Sequence, residues 1–291
     1  MAIFNAGSIN ADFFYYLTDL PRRGETLTAT SFERGLGGKG ANQSIAALCA
    51  GADVTHIGAV GQDGVWAIEQ LSSQGLNCDH VAVLDAPTGH AIINVEASGE
   101  NSIVIFPGAN RELTVEQIEQ GLAGAGAGDF LLLQNEINLV TEAALIGQKK
   151  GLYIAYSAAP FVVADAVSVM PHVDLMILNE VEYEQLMAAT SKVSIEMLPP
   201  ELLVTKGARG ADLIRSEQTV HVAAFAVKPV DTTGAGDCFA GYFCAGIDSG
   251  LTSEKAMKRA AAAAAIKVTR QGTSEVVPNS EEVEDFLANQ D

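Results

Sequence analysis

Short apolar runs alternate along this chain with longer stretches in which apolar residues recur every third or fourth position. The runs AIFNAGS (2–8), VTHIGAVG (54–61), FLLLQ (130–134), LYIAYS (152–157), LMILN (175–179) and LLVTK (202–206) predict strands buried on both faces. Between them, residues 42–50, 65–74, 115–122, 139–150 and 181–189 carry helical periodicity. In the first of these Ile45, Leu48 and Cys49 fall on one face, and Gly51 supplies a stop. Strands that alternate with helices imply a mostly parallel sheet covered on both sides, an α/β/α sandwich. No composition break marks a linker and no repeat has a fixed period, so residues 1–291 read as a single domain.

Two segments depart from this rhythm. HAIINVEASGENSIVIF (90–106) reads as strand, turn, strand around Ser98-Gly99-Glu100, and residues 13–35 read as extended rather than helical. Half-polar strands of this kind suit a separate small sheet, from segments of about 11–35 and 88–108, that could close over a site as a lid. They equally suit peripheral hairpins.

Composition narrows the function classes. With a formal net charge of −19, the chain lacks the basic field that draws proteins to nucleic acid or anionic membranes. A phosphate ligand would therefore depend on local donors. The four cysteines, Cys49, Cys78, Cys238 and Cys244, have no metal-ligand spacing and suit a reducing cytoplasm. MAIFNAGSINAD reaches Asp12 before any long apolar run and does not read as a secretory signal. The apolar stretch 260–266 is too short to span a bilayer.

The strongest chemical signal is DTTGAGDCFAGYFCAG (231–246). Its glycines permit backbone angles closed to other residues, and Asp237 then opens a helix whose Phe239, Tyr242, Phe243 and Ala245 suit burial. Free N–H groups and the positive end of the helix dipole would meet an anion there, and a carboxylate beside it could take a proton from an attacking hydroxyl. The same letters also suit a plain turn with Asp237 as N-cap. Gly126-Ala127-Gly128-Asp129 repeats them, but Phe130-Leu131-Leu132-Leu133 comes next, so that copy reads as a loop entering a strand. A second glycine loop entering a helix, GLGGKGANQSIAALCAG (35–51), offers Lys39 and Asn42 to a polyhydroxylated ligand or its phosphate, or is simply a capped helix. It has neither Walker spacing nor a dinucleotide fingerprint.

Together these motifs resemble the ribokinase family, within the wider PfkB-type carbohydrate kinases. The resemblance runs through GSINAD (7–12), RGETL (23–27), GGKGANQ (37–43), LLLQNE (131–136), NEVE (179–182), VTKGARG (204–210), DTTGAGD (231–237) and AAAAIKVTRQG (262–272). It implies a Rossmann-like α/β/α sandwich with a small β lid, ATP and Mg2+ as phosphate donor, and transfer to a pentose primary hydroxyl, D-ribose at O5 first. It also implies a cytoplasmic homodimer paired through the lids.

Residue by residue, the resemblance assigns sugar contacts to Asn10, Asp12, Gly38, Lys39, Gly40, Ala41, Asn42 and Glu136. Nucleotide contacts fall on Asn179, Thr205, Lys206, Gly207, Ala208, Arg209, Gly210, Gly236 and Asp237. Asp237 becomes the catalytic base, and Gly234, Ala235 and Gly236 complete the anion hole. Asn179 and Glu182 match an element associated with magnesium and phosphate, while Glu180 and Glu184 read as a solvated face. A monovalent cation, usually potassium, would sit at Asp231 and Thr233 with Lys267, Arg270 and Gly272, the last three through backbone carbonyls.

Three departures stand out. Val276 replaces a serine that completes the cation shell, which implies weak potassium dependence. Ala261 replaces a polar residue near adenine, and the stretch between Leu186 and Leu202 is short. Among the histidines, His56 reads as a core residue, His90 lies in the lid segment, and His80, His172 and His221 have no partners for a triad. Trp66 reads as packing. The rival readings are a kinase for another sugar or a nucleoside, a non-catalytic sugar-binding regulator, and an NAD-dependent oxidoreductase that lacks its glycine fingerprint.

Overall fold

The computed structural model describes residues 1–98, 100–190, 198–216 and 218–290. The first half runs β1 (Ala2–Ala6), β2 (Asn10–Leu17), β3 (Ser31–Gly37), α1 (Lys39–Cys49), β4 (Asp53–Gly61), α2 (Val65–Ser73), β5 (Asn77–Leu84), β6 (Gly89–Glu96), β7 (Asn101–Phe106) and α3 (Val115–Gly121). The second runs β8 (Phe130–Gln134), α4 (Val140–Lys150), β9 (Tyr153–Ser157), α5 (Val163–Val169), β10 (Leu175–Asn179), α6 (Glu180–Thr190), β11 (Glu201–Thr205), β12 (Ala211–Ile214), β13 (Thr219–Val222), α7 (Ala235–Asp248), α8 (Ser253–Lys267) and α9 (Ser280–Ala288).

Among the described residues nine strands form one sheet in the order β13-β12-β11-β10-β9-β8-β1-β4-β5. It is parallel from β11 to β5, and β12 and β13 extend it antiparallel at one edge. Successive residues of the central strands alternate between two cores, as the two-residue period of a strand demands. Ile3, Phe130 and Leu132 point into one core with Ile45, Leu71, Tyr242 and Phe243, while Phe4, Leu131 and Leu133 point into the other with Ile118, Leu122 and Tyr156. This is the expected α/β/α sandwich, and each predicted strand and helix recurs within a few residues.

A four-stranded second sheet has the order β3-β2-β6-β7, with β2 and β6 parallel and both outer pairs antiparallel. Only Gly7, Ser8 and Ile9 separate β1 from β2, so the small sheet springs directly from the C-terminal edge of the large one. Glu96 N–H donates to Glu100 O at 2.8 Å between β6 and β7, and Gly99 of the expected Ser98-Gly99-Glu100 turn lies outside the described residues. Much of the stretch between Leu186 and Leu202 also lies outside them. Arg34 of β3 stacks its guanidinium over the Trp66 ring at 4.1 Å, so that ring packs the small sheet to the body.

Helices α1 and α7 carry the two glycine motifs, and they pack unusually close. A Cβ at Gly241 would lie 2.5 Å from Gln43 O and 2.6 Å from the Ala46 Cβ, so only glycine allows this crossing. Their N-termini are thereby held side by side at the C-terminal edge of the sheet. The first turn of α1 starts three residues before the sequence pattern suggests, because Ser8 caps it from another segment. Ser8 O accepts from Ala41 N at 2.9 Å and Ser8 Oγ from Gly40 N at 3.2 Å.

Candidate active site

Ligands of parallel α/β sheets bind beyond the C-terminal ends of the strands, and a cavity of about 190 Å³ opens there. Lys39, Asn179, Glu182, Thr205, Gly236 and Asp237 are in its wall. A larger cleft of about 420 Å³, lined by Gln148, Pro171 and Pro199 among others, lies at the opposite end of the strands, away from both glycine motifs.

Gly234, at φ 71°, is the N-cap of α7 and carries no side chain to satisfy the first turn. A Cβ at Gly236 would meet nothing within 4 Å, and Gly234, Ala235 and Gly236 line the cavity, with Ala235 N–H taken by Thr232 O at 3.2 Å. Asp237 does not open the helix as the pattern suggested. It sits in the first turn, and its nearly buried carboxylate is held from α1. Asn42 Nδ2 donates to one oxygen at 3.2 Å and Gln43 Nε2 to the other at 2.8 Å. The N-cap alternative for Asp237 thus gives way to a carboxylate aimed across the helix pair.

Behind Asp237 runs a buried polar chain that sequence reasoning missed. Gln134 Nε2 donates to Gln43 Oε1 at 2.8 Å and to Asn5 Oδ1 at 2.9 Å, which turns the Gln43 amide N–H groups toward Asp237. Asn5 Nδ2 donates to Ser44 Oγ at 2.8 Å, and Ser44 Oγ meets His56 Nδ1 at 2.8 Å. His56 Nε2 lies 3.2 Å from the Gly7 carbonyl, which can only accept, so Nε2 carries the proton and Nδ1 accepts from Ser44. Burial lowers His56 to about 4, so it is a neutral core histidine, as its apolar strand pattern suggests. Gln43 and Gln134 stand inside quoted motifs, and only their burial side by side reveals their role.

The residues expected to meet a sugar split into framework and open groups. Gly40 donates to Ser8 Oγ and accepts from Asn5 Nδ2, and Ala41 N–H is taken by Ser8 O, so both have spent their polar groups on the fold. Asn10 Oδ1 accepts from Asn110 Nδ2 at 2.7 Å, and Asn110 is a second residue the sequence reading passed over. Glu136 accepts from Ser8 Oγ and, at 3.0 Å, from Lys39 N–H, just past Gly38. Asn42 Oδ1 is buried with no partner. Asp12 packs so closely under Gly37 that a Cβ there would lie 2.0 Å from its Oδ2. Burial, with the Glu136 and Glu275 carboxylates adding repulsion, pushes Asp12 up to about 7. The Asp237 carboxylate, with Glu136 and Glu182, holds the Lys39 ammonium above the ordinary lysine value against burial.

On the other wall, Asn179 and Glu182 form a reciprocal capping box on α6, with Asn179 N–H donating to Glu182 Oε2 at 2.8 Å and Glu182 N–H to Asn179 Oδ1 at 2.9 Å. Thr205 Oγ1 donates to Leu178 O at 3.3 Å. Lys206 pairs with Asp212 at 2.5 Å, and Arg209, in the exposed Gly207-Ala208-Arg209 turn before buried Gly210, pairs with Glu180. Arg209, expected as a nucleotide contact, and Glu180, expected on a solvated face, thus form an exposed ion pair. Ala261 lies buried in α8.

The expected cation loop differs most. Asp231 accepts from Thr233 N–H at 2.9 Å and Gly272 N–H at 3.1 Å, and Arg270 donates to Val276 O at 3.3 Å and to Glu282. Lys267 was expected to offer only its carbonyl. Instead its fully buried side chain turns inward, and Nζ donates to Asp231 O at 3.2 Å and to Thr233 O. Burial pulls this ammonium below the ordinary lysine value, with Asp231 the largest opposing influence. A potassium ion does not fit between those carbonyls beside a resident ammonium. Elsewhere, His221 pairs with Asp212 at 2.6 Å, and His90 packs between Phe13 and Phe106. Among the described residues no group of three or more His, Cys, Asp or Glu could hold a metal unaided.

Comparison with known proteins gives the same outline. Residues 3–280 match the pfkB family carbohydrate kinase. The chain is 34% identical to a deoxyribokinase of Salmonella typhi, covering 97% of each, and 33% identical to a ribokinase of Haemophilus influenzae, covering 97% of this chain and 96% of that one. Among solved structures, the Arabidopsis thaliana ribokinase complexed with ribose and ATP superposes with a TM-score of 0.87 at 29% identity, covering 99% of each chain.

Proposed function

The chain belongs to the pfkB family of carbohydrate kinases and is an ATP-dependent kinase, and within that family we propose that it transfers the γ-phosphate of ATP to the primary hydroxyl of a pentose, D-ribose at O5 first. The observation that carries this reading is Asp237, a buried carboxylate held by Asn42 and Gln43 in the wall of the cavity at the N-terminus of α7. Asp237 takes the proton of the attacking hydroxyl. The first-turn N–H groups of Gly236 and Asp237 face the charge that develops on the transferring phosphoryl group, Ala235 N–H being taken by Thr232 O at 3.2 Å, and Lys39 adds a cation from the other helix. Asp12 and the unpaired Asn42 Oδ1 accept hydrogen bonds from sugar hydroxyls. Clasping of paired hydroxyls by Asp12 favours ribose over its 2-deoxy form, which the deoxyribokinase relative makes the nearest competitor.

Mg2+ would arrive with the nucleotide. The oxygen ligands on the cavity wall, Glu182 and Asn179, suit a hard cation that keeps its phosphate and water ligands, and it would neutralise phosphate charge there. The small sheet, segments of about 11–35 and 88–108, acts as a lid that excludes water as a competing acceptor. Its outer strands expose Phe32, Ile103, Val104, Ile105 and Phe106, a surface suited to a second copy and hence a homodimer. Free cysteines, and the absence among the described residues of any helix long and apolar enough to cross a membrane, support a cytoplasmic setting.

The test is phosphorylation of pentoses, 2-deoxyribose, hexoses and nucleosides with Mg-ATP, compared by kcat/KM. D-Ribose should lead. A nucleoside or hexose in first place would overturn the acceptor, and no transfer to any alcohol would overturn the reaction.

A further inference from the structure

The carbonyl cradle beside the α7 N-terminus is filled from within the chain. Lys267 ends α8 with its whole side chain buried, and its Nζ lies against the carbonyls of Asp231 and Thr233. Several neighbouring oxygens are taken by donors of the chain as well. Lys267 O accepts from Arg270 N–H at 3.0 Å, Val276 O from the Arg270 guanidinium, and the Asp231 carboxylate from the N–H groups of Thr233 and Gly272. An ammonium is close to potassium in size, carries the same charge and seeks the same oxygens. A free ion at those two carbonyls would have to displace a covalently tethered group of its own charge.

Resting on the phosphotransfer reading above, we propose that the Lys267 ammonium is the built-in cation of the 231–234 loop, replacing a diffusible monovalent ion. It binds the carbonyl ends of Asp231 and Thr233, so that they do not turn their negative poles toward the phosphate site. It also pins the strap that leads into Gly234, where the chain takes the left-handed turn that aims the α7 N–H groups. Being tethered, it is present at every salt composition. Turnover should therefore be indifferent to which monovalent cation is supplied.

Two measurements test this. Initial rates of the wild-type protein in potassium, sodium and tetramethylammonium chloride, at equal ionic strength, should agree within about twofold, since only general screening is shared. A potassium-specific rise of about tenfold or more would overturn the proposal, because it would reveal a site for the free ion. The second measurement needs no turnover. The wild-type melting temperature should be equal in potassium and tetramethylammonium, whereas Lys267→Met, with the ammonium gone and the apolar stem kept, should be stabilised by potassium in proportion to site occupancy. The same variant should lose about tenfold or more in rate in tetramethylammonium and recover part of it in potassium. Equal rates for wild type and variant in tetramethylammonium would also overturn the role. Should Lys267→Met not fold, the wild-type rates and melting curves still decide. If no acceptor is phosphorylated in any salt, the kinase reading fails, while the wild-type melting comparison still reads cation binding by itself.

Discussion

The chain spells Gly-Ala-Gly-Asp twice, and the two copies end in opposite places. At 126–129 the carboxylate of Asp129 folds back on its own loop, accepting from Gly126 N–H and Ala2 N–H, both at 2.9 Å, before the chain enters β8. At 234–237 the same letters turn at Gly234 into α7, and the carboxylate reaches away from its own backbone to two side-chain amides of α1. Burial raises the Asp129 carboxyl, but its two backbone N–H partners outweigh that and leave it below the usual carboxylate range, which makes it a weaker base. The next four residues separate the copies. Phe130-Leu131-Leu132-Leu133 commits the first to a buried strand, whereas Cys238-Phe239-Ala240-Gly241 commits the second to a helix packed on α1. The chemistry then comes from the neighbour helix.

The harshest way to break this contrast is Asp237→Asn. Asparagine offers one oxygen to the two donors that now meet Asp237, so one amide of Asn42 or Gln43 loses its acceptor. Gln43 cannot flip without facing Gln134 Nε2 with a donor of its own. The expected stability loss is about 1–3 kcal/mol. The variant should still fold, because α7 is held by its apolar face. It cannot take the hydroxyl proton, so turnover should fall by roughly 10²–10⁴-fold with nucleotide affinity little changed. Steady-state kinetics, nucleotide titration and a melting curve decide it. A folded variant that keeps most of its activity would remove Asp237 from the role of base.

How much of this was legible beforehand depends on how local each determinant is. Strands such as Phe130–Gln134 and Leu175–Asn179 are continuous apolar runs and read directly. Strand Asn77–Leu84, on the sheet edge with half-exposed residues, and the short helix Val163–Val169 carry no such signal and went unread. The start of α1 was misplaced because its cap, Ser8, lies 32 residues before Gly40 in sequence. Asp12, Lys39, Asn42, Glu136 and Asp237, which the resemblance names, lie near one another in the structure. It could not reveal that Gln134 orients Gln43, or that Lys267 turns its ammonium rather than its carbonyl to the loop, since both depend on which way a buried side chain points.

A third aspartate sharpens the comparison through pH. Asp12 has neither the backbone donors of Asp129 nor the amide clasp of Asp237, and its carboxyl is pushed up to about 7 by burial first and then by Glu136 and Glu275. Below that pH the free protein holds Asp12 protonated, so it loses its full power to accept from sugar hydroxyls. Acceptor affinity should fall as pH drops through about 7, while nucleotide affinity stays flatter. The stability effect runs the other way. A raised carboxyl favours the fold most below its ordinary value of 3.8, and this contribution is lost as pH rises through about 7. Asp12→Ala should weaken sugar binding by roughly 10–100-fold, the worth of a charge-assisted hydrogen bond or two, and leave ATP binding nearly intact. Calorimetric titration of each ligand checks this, and equal losses for both would make Asp12 a folding residue.

The glycines of the two copies should respond with opposite signs. Gly236 lies inside a helix with open space before it, so Gly236→Ala should stabilise the fold by about 0.5–1 kcal/mol. Its methyl would stand in the space assigned to phosphate and should cost nucleotide affinity about tenfold. Gly128 is at φ 93°, where Gly128→Ala should destabilise by about 1–2 kcal/mol and leave kinetics unchanged. Melting curves and nucleotide titrations on the pair test this. Unchanged affinity in Gly236→Ala would mean that the nucleotide phosphates sit elsewhere.

The smallest effect belongs to Asp129→Asn, and it is the control on which the contrast depends. The carboxylate now satisfies two backbone N–H groups, Ala2 through Oδ1 and Gly126 through Oδ2. Asparagine can accept from only one of them and turns a donor toward the other, in a loop open enough for water to take its place. The loss should be about 0.5–1.5 kcal/mol, and for a chain of this size that lowers the melting temperature by only a few degrees, at about 2–4 °C per kcal/mol. Its pH signature is also distinct. The lowered Asp129 carboxyl gives the wild type stability that is present above the ordinary value of 3.8 and is lost as pH falls through the lower folded value, so wild type and variant should converge in strong acid. Turnover and both KM values should match wild type, because the loop lies before β8, at the end of the sheet opposite the cavity. If Asp129→Asn lost turnover in step with Asp237→Asn while keeping its melting temperature, four letters would matter more than the helix behind them, and the assignment of Asp237 through its neighbours would fail.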